Sequence, residues 1–485
     1  MMSALRHPVR VGCAVLTALY VVYYFGNPFL PGANPAAPLG WWGWSDQAFT
    51  LESARALIRL NFSPAHHWYP LGYPILGAPF VRWSPAHPFV LVNLGCLLAA
   101  FAGFVAFARR ASVTSGWATL IFVGTAGSRA AMMQWVVPWN TTPVAALIWL
   151  LLATVAGQQA GRHRPGLIGL MAAAIPLCRP TDALVALLCA AVALASRPSR
   201  QDAGRMALGG AAVLIPYAGL HVAIYGVHLS PYMTHSAEIG FSLYGLGWKA
   251  STLLLDPSAW YLDGVGLLRA APYLALVPAG MLIAAVQRGP ARLLAAAMLV
   301  HIVLYVSYID LLPTGLWRYL NVHYFTWVVP GGGLLAWIAM REILRGRRGA
   351  WFPLAPSALA VSAAALCITV VPVPVPATGP ARMLFYPGAP PGFDAAYFRP
   401  LVVRDDRGPL ANIYDIRAFP VPGGMRLVAL RRDFAGDVIW EAAPPGWSAA
   451  GPPERFAAGF RLGWPCWLLP CRRVPNPLMP PAPLP

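Results

Sequence analysis

Charge is what this sequence has least of. Only 11% of its 485 residues are Asp, Glu, Lys or Arg, against 58% that are hydrophobic. A soluble domain carries about 25% charged residues, so a water-solvated fold is excluded for most of the chain and lipid must be its solvent. Metal-type cysteine patterns are missing too: the seven cysteines form no CxxC pair, and no His-rich zinc spacing accompanies them. Cys13, Cys96, Cys178, Cys189 and Cys367 fall in or beside apolar runs, where a thiol acts as a small hydrophobe. Cys466 and Cys471 share a polar-flanked segment, and spacing alone leaves a disulfide between them open. No small-x-small cleavage site follows the apolar run that ends at Phe25, so it reads as an uncleaved span and not as a removed signal. An internal repeat is also missing, which weighs against a transporter built from paired halves.

What is present is a series of apolar segments. Besides the first, they run near 88–108, 115–136, 142–158, 206–226, 268–287, 293–309, 319–340 and 351–371, each of roughly membrane-spanning length. Two shorter ones, 165–178 and 183–196, flank Cys178-Arg179-Pro180-Thr181-Asp182. At 1.5 Å per residue each is about 21 Å long, short of a ~30 Å hydrocarbon core. Counting both as spans gives eleven.

The net charge of +18 would suggest nucleic acid on a soluble protein, but its distribution answers to topology. With a cytoplasmic N-terminus the inner segments hold fifteen arginines, among them Arg109, Arg110, Arg162 and Arg164, against Asp202 and Glu342. The outer segments of the membrane part are nearly balanced. Every short inner loop is basic, as the positive-inside rule requires, and merging the two short spans would invert every later loop. The expectation is an α-helical polytopic membrane protein with about 11 transmembrane helices, its N-terminus inside and its C-terminal tail outside. Nucleic acid is excluded as a partner.

Two outer loops are long, 27–87 and 227–267, and both are rich in aromatics. In the first, Asp46 to Leu60 has the pattern of a helix lying along the membrane surface, with Ser45 or Asp46 able to cap its start. Asp46 then reads either as a cap or as a chemical group beside the bilayer. Glu52 is either a second acid of a site or the ion-pair partner of Arg55, and the pair is the simpler reading. His66 and His67 are adjacent, so both cannot point one way from a regular element. One functional imidazole is more reasonable than a bidentate metal site, and a surface imidazole is simpler still. Trp41, Trp42 and Trp44 suit an interfacial belt better than a sugar-stacking platform.

The wider constellation is Trp-x-Asp-Gln-x-Phe around Asp46, followed after a gap by Tyr69-Pro70-Leu71-Gly72-Tyr73-Pro74. It resembles the first outer loop of the GT-C superfamily of polyprenyl-phosphate-sugar-dependent glycosyltransferases, which includes protein mannosyltransferases and aminoarabinose transferases. The likeness extends to Gly169 through Arg179-Pro180-Thr181, and to Trp317-Arg318-Tyr319 with Pro330. It implies a GT-C-like fold with outer-face juxtamembrane helices, in a bacterial inner membrane. Its donor would be a polyprenyl-phosphate-linked sugar, and its acceptor a lipid, a polysaccharide or a protein. Asp46 would be the catalytic base. The substrate-binding residues would come from Arg318, Tyr319, Arg179, Glu52, His66, His67, Tyr69 and Tyr73. Arg318 and Arg179 would meet the charge on the leaving phosphate, while an interfacial arginine pairing lipid phosphate is the plainer alternative for each. Many relatives carry a second acid where this chain has Gln47, so no metal ligand is assigned and a divalent metal is left open as cofactor.

After the last span comes the Pro-rich stretch from Val371. The domain division is therefore 1–374, the transmembrane part, and 375–485, a linker with a small extracytoplasmic tail. Alternation in 412–419, then Pro422-Gly423-Gly424, then 425–430, reads as a β-hairpin in that tail. Asp310 is a candidate cavity residue, Asp182 a candidate partner of Arg179, and Asp256 and Asp263 read as solvated. The competing functions are a polytopic transporter or lipid flippase, which should bury ionisable groups in mid-membrane, and a non-catalytic protein of the same fold.

Overall fold

A computed structural model describes residues 7–239, 267–308 and 321–344, apart from 28, 34, 36–37, 197–198 and 288, together with Phe241, Leu254 and the backbone of strands between Thr369 and Gly463. The chain divides into two compact units. The first is Met1–Ala237, Tyr273–Val303 and Val322–Ser362; the second is Glu238–Pro272, Leu304–Asn321 and Ala363–Pro485.

The first unit is helical. Pro8 at the first turn opens α1 (Pro8–Phe25), where its missing N–H is no loss. The segment between α1 and the next long helix forms α2 (Ser45–Ile58) and the short α3 (Gly72–Gly77). Next come α4 (Val90–Arg110), α5 (Ser115–Ala126), α6 (Arg129–Val136) and α7 (Thr141–Gln159). The apolar run 115–136 is thus two helices, broken at Gly127-Ser128. The two short apolar segments are α8 (Pro165–Cys178) and α9 (Ala183–Ser196), joined by a tight turn, Pro180–Asp182. They are followed by α10 (Arg200–Tyr225), α11 (Pro231–Ile239), α12 (Val277–Val286), α13 (Pro290–Ser307) and α14 (Val328–Leu344).

Among the described residues, α1, α4, α7, α10 and α13 are long and apolar enough to cross a membrane; α5, α8 and α9 are shorter apolar helices. The protein is a helical membrane protein. The apolar run 351–371 lies outside the described residues but for its last positions. Helix α7 is the hub of the first unit, buried on nearly every face, whereas α10 is mostly exposed.

Glycines set the close crossings. A Cβ on Gly169 of α8 would lie 1.9 Å from the Met206 carbonyl oxygen of α10, and one on Gly209 would lie 2.0 Å from the Gly166 oxygen. Small residues let these backbones touch, which is how helices pack where lipid supplies no hydrophobic drive. Gly103 gives α4 and α7 the same intimacy at Trp149, and Gly280 does so for α12 and α14 at Leu335.

In the second unit, the backbone of β1 (Thr369–Pro376), β2 (Arg382–Met383), β3 (Arg399–Arg404), β4 (Ile413–Val421), β5 (Gly424–Arg431), β6 (Asp437–Ala443) and β8 (Glu454–Gly463) pairs in the order β1-β8-β6-β5-β4-β3-β2, with β7 (Ser448–Ala449) on β6. The segment read as a hairpin is β4 antiparallel to β5, Val421 opposite Gly424. Cys466 and Cys471 lie outside the described residues.

Candidate functional site

The segment between α1 and α4 owes its shape to buried aromatics. Trp41 is fully buried, edge-on to Tyr24 at 5.5 Å, and the Trp42 indole N–H donates to the Ala86 carbonyl at 2.8 Å. This corrects the interfacial belt: both rings are core, and only Trp44 is half-buried. Trp44 in extended conformation ends the approach and stands as N-cap of α2, so neither Ser45 nor Asp46 holds the cap position. Asp46 lies in the first helical turn instead. There its charge meets the positive end of the helix dipole.

The Asp46 carboxylate accepts a hydrogen bond from the Tyr69 hydroxyl at 2.6 Å, a length typical of a charge-assisted O–H···O⁻ contact. Burial first, and then the Asp46 charge and this bond, hold the Tyr69 phenol far above its ordinary range, so it stays a donor. Tyr69 packs against Tyr232 of α11 at 4.9 Å between centroids, and Phe49, one turn beyond Asp46, stacks on Trp68 at 5.6 Å. Gln47 points elsewhere: it is buried and its amide donates to the Pro138 carbonyl at 3.3 Å. Position 47 therefore does not extend the acidic face of Asp46. Among the described residues, no three His, Cys, Asp or Glu side chains converge as a metal site.

The two histidines diverge. His67 is buried; its Nε2 lies 2.9 Å from the Asn61 carbonyl, which can only accept, so Nε2 carries the proton and Nδ1 accepts from the Ser53 hydroxyl at 2.8 Å. Burial lowers its pKa and keeps it neutral. The Tyr225 hydroxyl ties the His67 carbonyl to the end of α10 at 2.7 Å. His66 faces out and meets Glu52 at 2.8 Å. Glu52 is therefore not the partner of Arg55, which donates to the Pro85 carbonyl at 3.3 Å. Glu52 and His66 line a cleft of about 410 Å³ with Arg55, Arg59, Asn61 and Trp42. At 100° per residue this face of α2 lies opposite Asp46. Tyr73 is fully buried and donates to Asn93 at 2.7 Å. His67 and Tyr73 are internal ties, and Glu52 and His66 belong to a different face from Asp46.

Arg179 stands beside the Asp46 cluster. A Cβ on Gly72 would lie 2.6 Å from the Leu177 carbonyl oxygen, so the Tyr69–Pro74 segment rests on the end of α8 immediately before Arg179. The Arg179 guanidinium lies over the Tyr324 ring at 4.1 Å, and Tyr324 is close enough to Tyr69 to act on it electrostatically. The turn Pro180–Asp182 brings Asp182 back to Arg179, Nε to Oδ2 3.6 Å, as its spacing of three suggests. His301 Nδ1 is 3.0 Å from Asp182 Oδ1, and Trp327 donates to the same imidazole nitrogen at 3.1 Å. Arg318, Tyr319, Asp310, Asp256 and Asp263 lie outside the described residues.

Sequence reading misses Tyr232, Tyr324 and Trp327, since no spacing ties them to Asp46 or Arg179. His301 did leave a signal, an imidazole alone in the apolar run 293–309. No family model, no curated protein and no solved structure matches the chain.

Proposed function

We propose that this protein is a membrane glycosyltransferase of GT-C type, with eleven spans and a cytoplasmic N-terminus, that moves a sugar from a polyprenyl-phosphate carrier to a hydroxyl at the outer face. The observation that carries the reading is the succession Asp46–Tyr69–Tyr324–Arg179. Asp46 and Tyr69 belong to the loop that follows the first span, whose Gly72 packs on Leu177 just before the buried Arg179, and the Arg179 guanidinium lies over the Tyr324 ring. Asp46 and Arg179 are the two charges the reaction needs. Asp46 takes the proton of the acceptor hydroxyl as its oxygen bonds to the anomeric carbon. The bond from that carbon to the phosphate oxygen breaks, its electron pair leaves with the polyprenyl phosphate, and Arg179 meets the growing charge. One base and attack from the face opposite the leaving group give inversion. Tyr69 orients the carboxylate through its 2.6 Å bond.

The experiment is lipid analysis of a cell lacking the protein. A polyprenyl-phosphate sugar accumulates, and a plasmid copy of the wild type clears it, whereas Asp46→Asn does not. Unchanged lipid-linked sugars would remove the reading.

A transporter or flippase is the second reading, favoured by one observation: Arg179, Asp182 and His301 are ionisable groups buried among helices, which is where a transport pathway would put them. It predicts indifference to Asp46→Asn and loss of flux on Asp182→Asn.

A further inference from the structure

We propose that the cleft on the face of α2 opposite Asp46 holds the head group of a zwitterionic phospholipid, one whose phosphate is followed by a primary ammonium. The proposal uses none of the residues given a part in sugar transfer and stands without that reading. The cleft sits at one end of α1 and α4, two helices long and apolar enough to cross a membrane, in the segment that joins them. That segment is tied to both. The Tyr20 hydroxyl of α1 donates to the Val90 carbonyl of α4 at 2.9 Å, and the Tyr24 hydroxyl meets His87 Nδ1 at 2.8 Å. Trp42 and Arg55, which line the cleft, donate to the Ala86 and Pro85 carbonyls just ahead of α4.

At about 410 Å³ the cleft falls in the ~300–1,000 Å³ range of small-ligand sites. Three chemistries line it. Leu39, Trp42 and Leu51 give an apolar wall. Arg55 and Arg59 are cationic: Arg55 makes a single bond, to Pro85, and the Arg59 guanidinium has no partner among the described residues. Asn61 Oδ1 accepts from the Ser63 N–H at 3.0 Å, so its amide N–H₂ is left as a further donor. Glu52 supplies the opposite charge. One of its oxygens meets His66 Nδ1 at 2.8 Å; the second oxygen and His66 Nε2 have no partner among the described residues.

Spacing selects the ligand. Glu52, Arg55 and the C-cap residue Arg59 follow at i, i+3 and i+7 along one face of α2, and neighbours three or four apart lie ~5–6 Å from each other. Arg55 and Arg59 repel across one turn, a cost to the helix that a bound anion removes. The end of a helix attracts cations, but that leaves Glu52, His66 and the apolar wall without a role. A simple anion leaves them so too, and meets repulsion from Glu52. An aminoethyl phosphate uses all of them. Its phosphate oxygens take the two guanidinium forks, its ammonium, two methylenes on, takes the Glu52 carboxylate, and its lipid chains follow the apolar wall.

The test is calorimetric binding of three short-chain lipids, dihexanoyl-phosphatidylethanolamine, -phosphatidylcholine and -phosphatidylglycerol, to the full chain in detergent. The ethanolamine lipid is expected to bind at least about tenfold tighter than the choline lipid, whose quaternary nitrogen has no N–H to give Glu52. Glu52→Gln should erase that preference. Arg59→Gln should weaken both lipids by a similar factor of about ten and leave their ratio unchanged. Glu52 and Arg59 are exposed, so both variants should keep the wild-type melting temperature; if either does not, the three lipids compared on the wild type still decide the matter. Equal affinity for the ethanolamine and choline lipids, or tighter binding of the glycerol lipid, would overturn the proposal. So would free phosphoethanolamine binding as tightly as its lipid, since the occupant would then be a soluble molecule.

Discussion

At 2.6 Å, the Tyr69 hydroxyl fixes one oxygen of Asp46 and leaves the direction of the carboxylate little freedom. Tyr69→Phe keeps the ring against Tyr232 and removes only that bond. With Asp46 as the proposed base, turnover is expected to fall by about 10- to 100-fold with the Michaelis constant changed far less, because its orientation is lost and not its identity. His67 gives a prediction of a different kind. Burial lowers its folded-state pKa below the unfolded value near 6.5. The stability it contributes is therefore full above that value and is lost as pH falls through the folded pKa. Thermal melting in detergent should show the wild type losing stability below about pH 6.5, with a shallower loss in His67→Gln; identical slopes would contradict it. The Arg179–Asp182 pair was legible in sequence because its partners lie three residues apart. The Glu52–Arg55 pair was misread for the same reason: a helix offers that partner at i+3, while folding offers His66 at 2.8 Å. No pattern in the sequence marks that tertiary choice.

At the scale of elements, the α8–α10 crossing decides where Arg179 stands. Gly169→Ala would put a methyl carbon 1.9 Å from the Met206 carbonyl oxygen and force two backbones apart. It should destabilise the protein by about 1–3 kcal/mol and lower its melting temperature, whereas Gly124→Ala, which meets nothing within 4 Å, should not. Equal melting temperatures for the two variants would show that the crossing is looser than described. The bounds of α8 and α9 were readable because Pro165 and Pro180 punctuate them, each at the first turn of a new element. The break between α5 and α6 was not, since apolar residues run on either side of Gly127-Ser128 and hydropathy does not register a turn. Buried Trp41 and Trp42 escaped for a related reason: an aromatic cluster in a loop has the same composition whether it faces lipid or forms the loop's own core.

For the whole molecule, orientation is the property that everything at Asp46 depends on. In a background with the seven native cysteines replaced, Ser63→Cys in the first outer loop should react with a membrane-impermeant maleimide on intact cells. His163→Cys, in the basic loop before α8, should react only after permeabilisation. The reverse pattern would put Asp46 on the wrong side for an outer-face acceptor. The most direct measurement is transfer itself, by purified protein in nanodiscs given a polyprenyl-phosphate sugar, the proposed donor. Wild type should release polyprenyl phosphate and invert the anomeric centre, and Asp46→Asn, equally folded by melting temperature, should lose at least about 1000-fold in rate. Undiminished release by Asp46→Asn would contradict the assignment of the base and of the reaction with it.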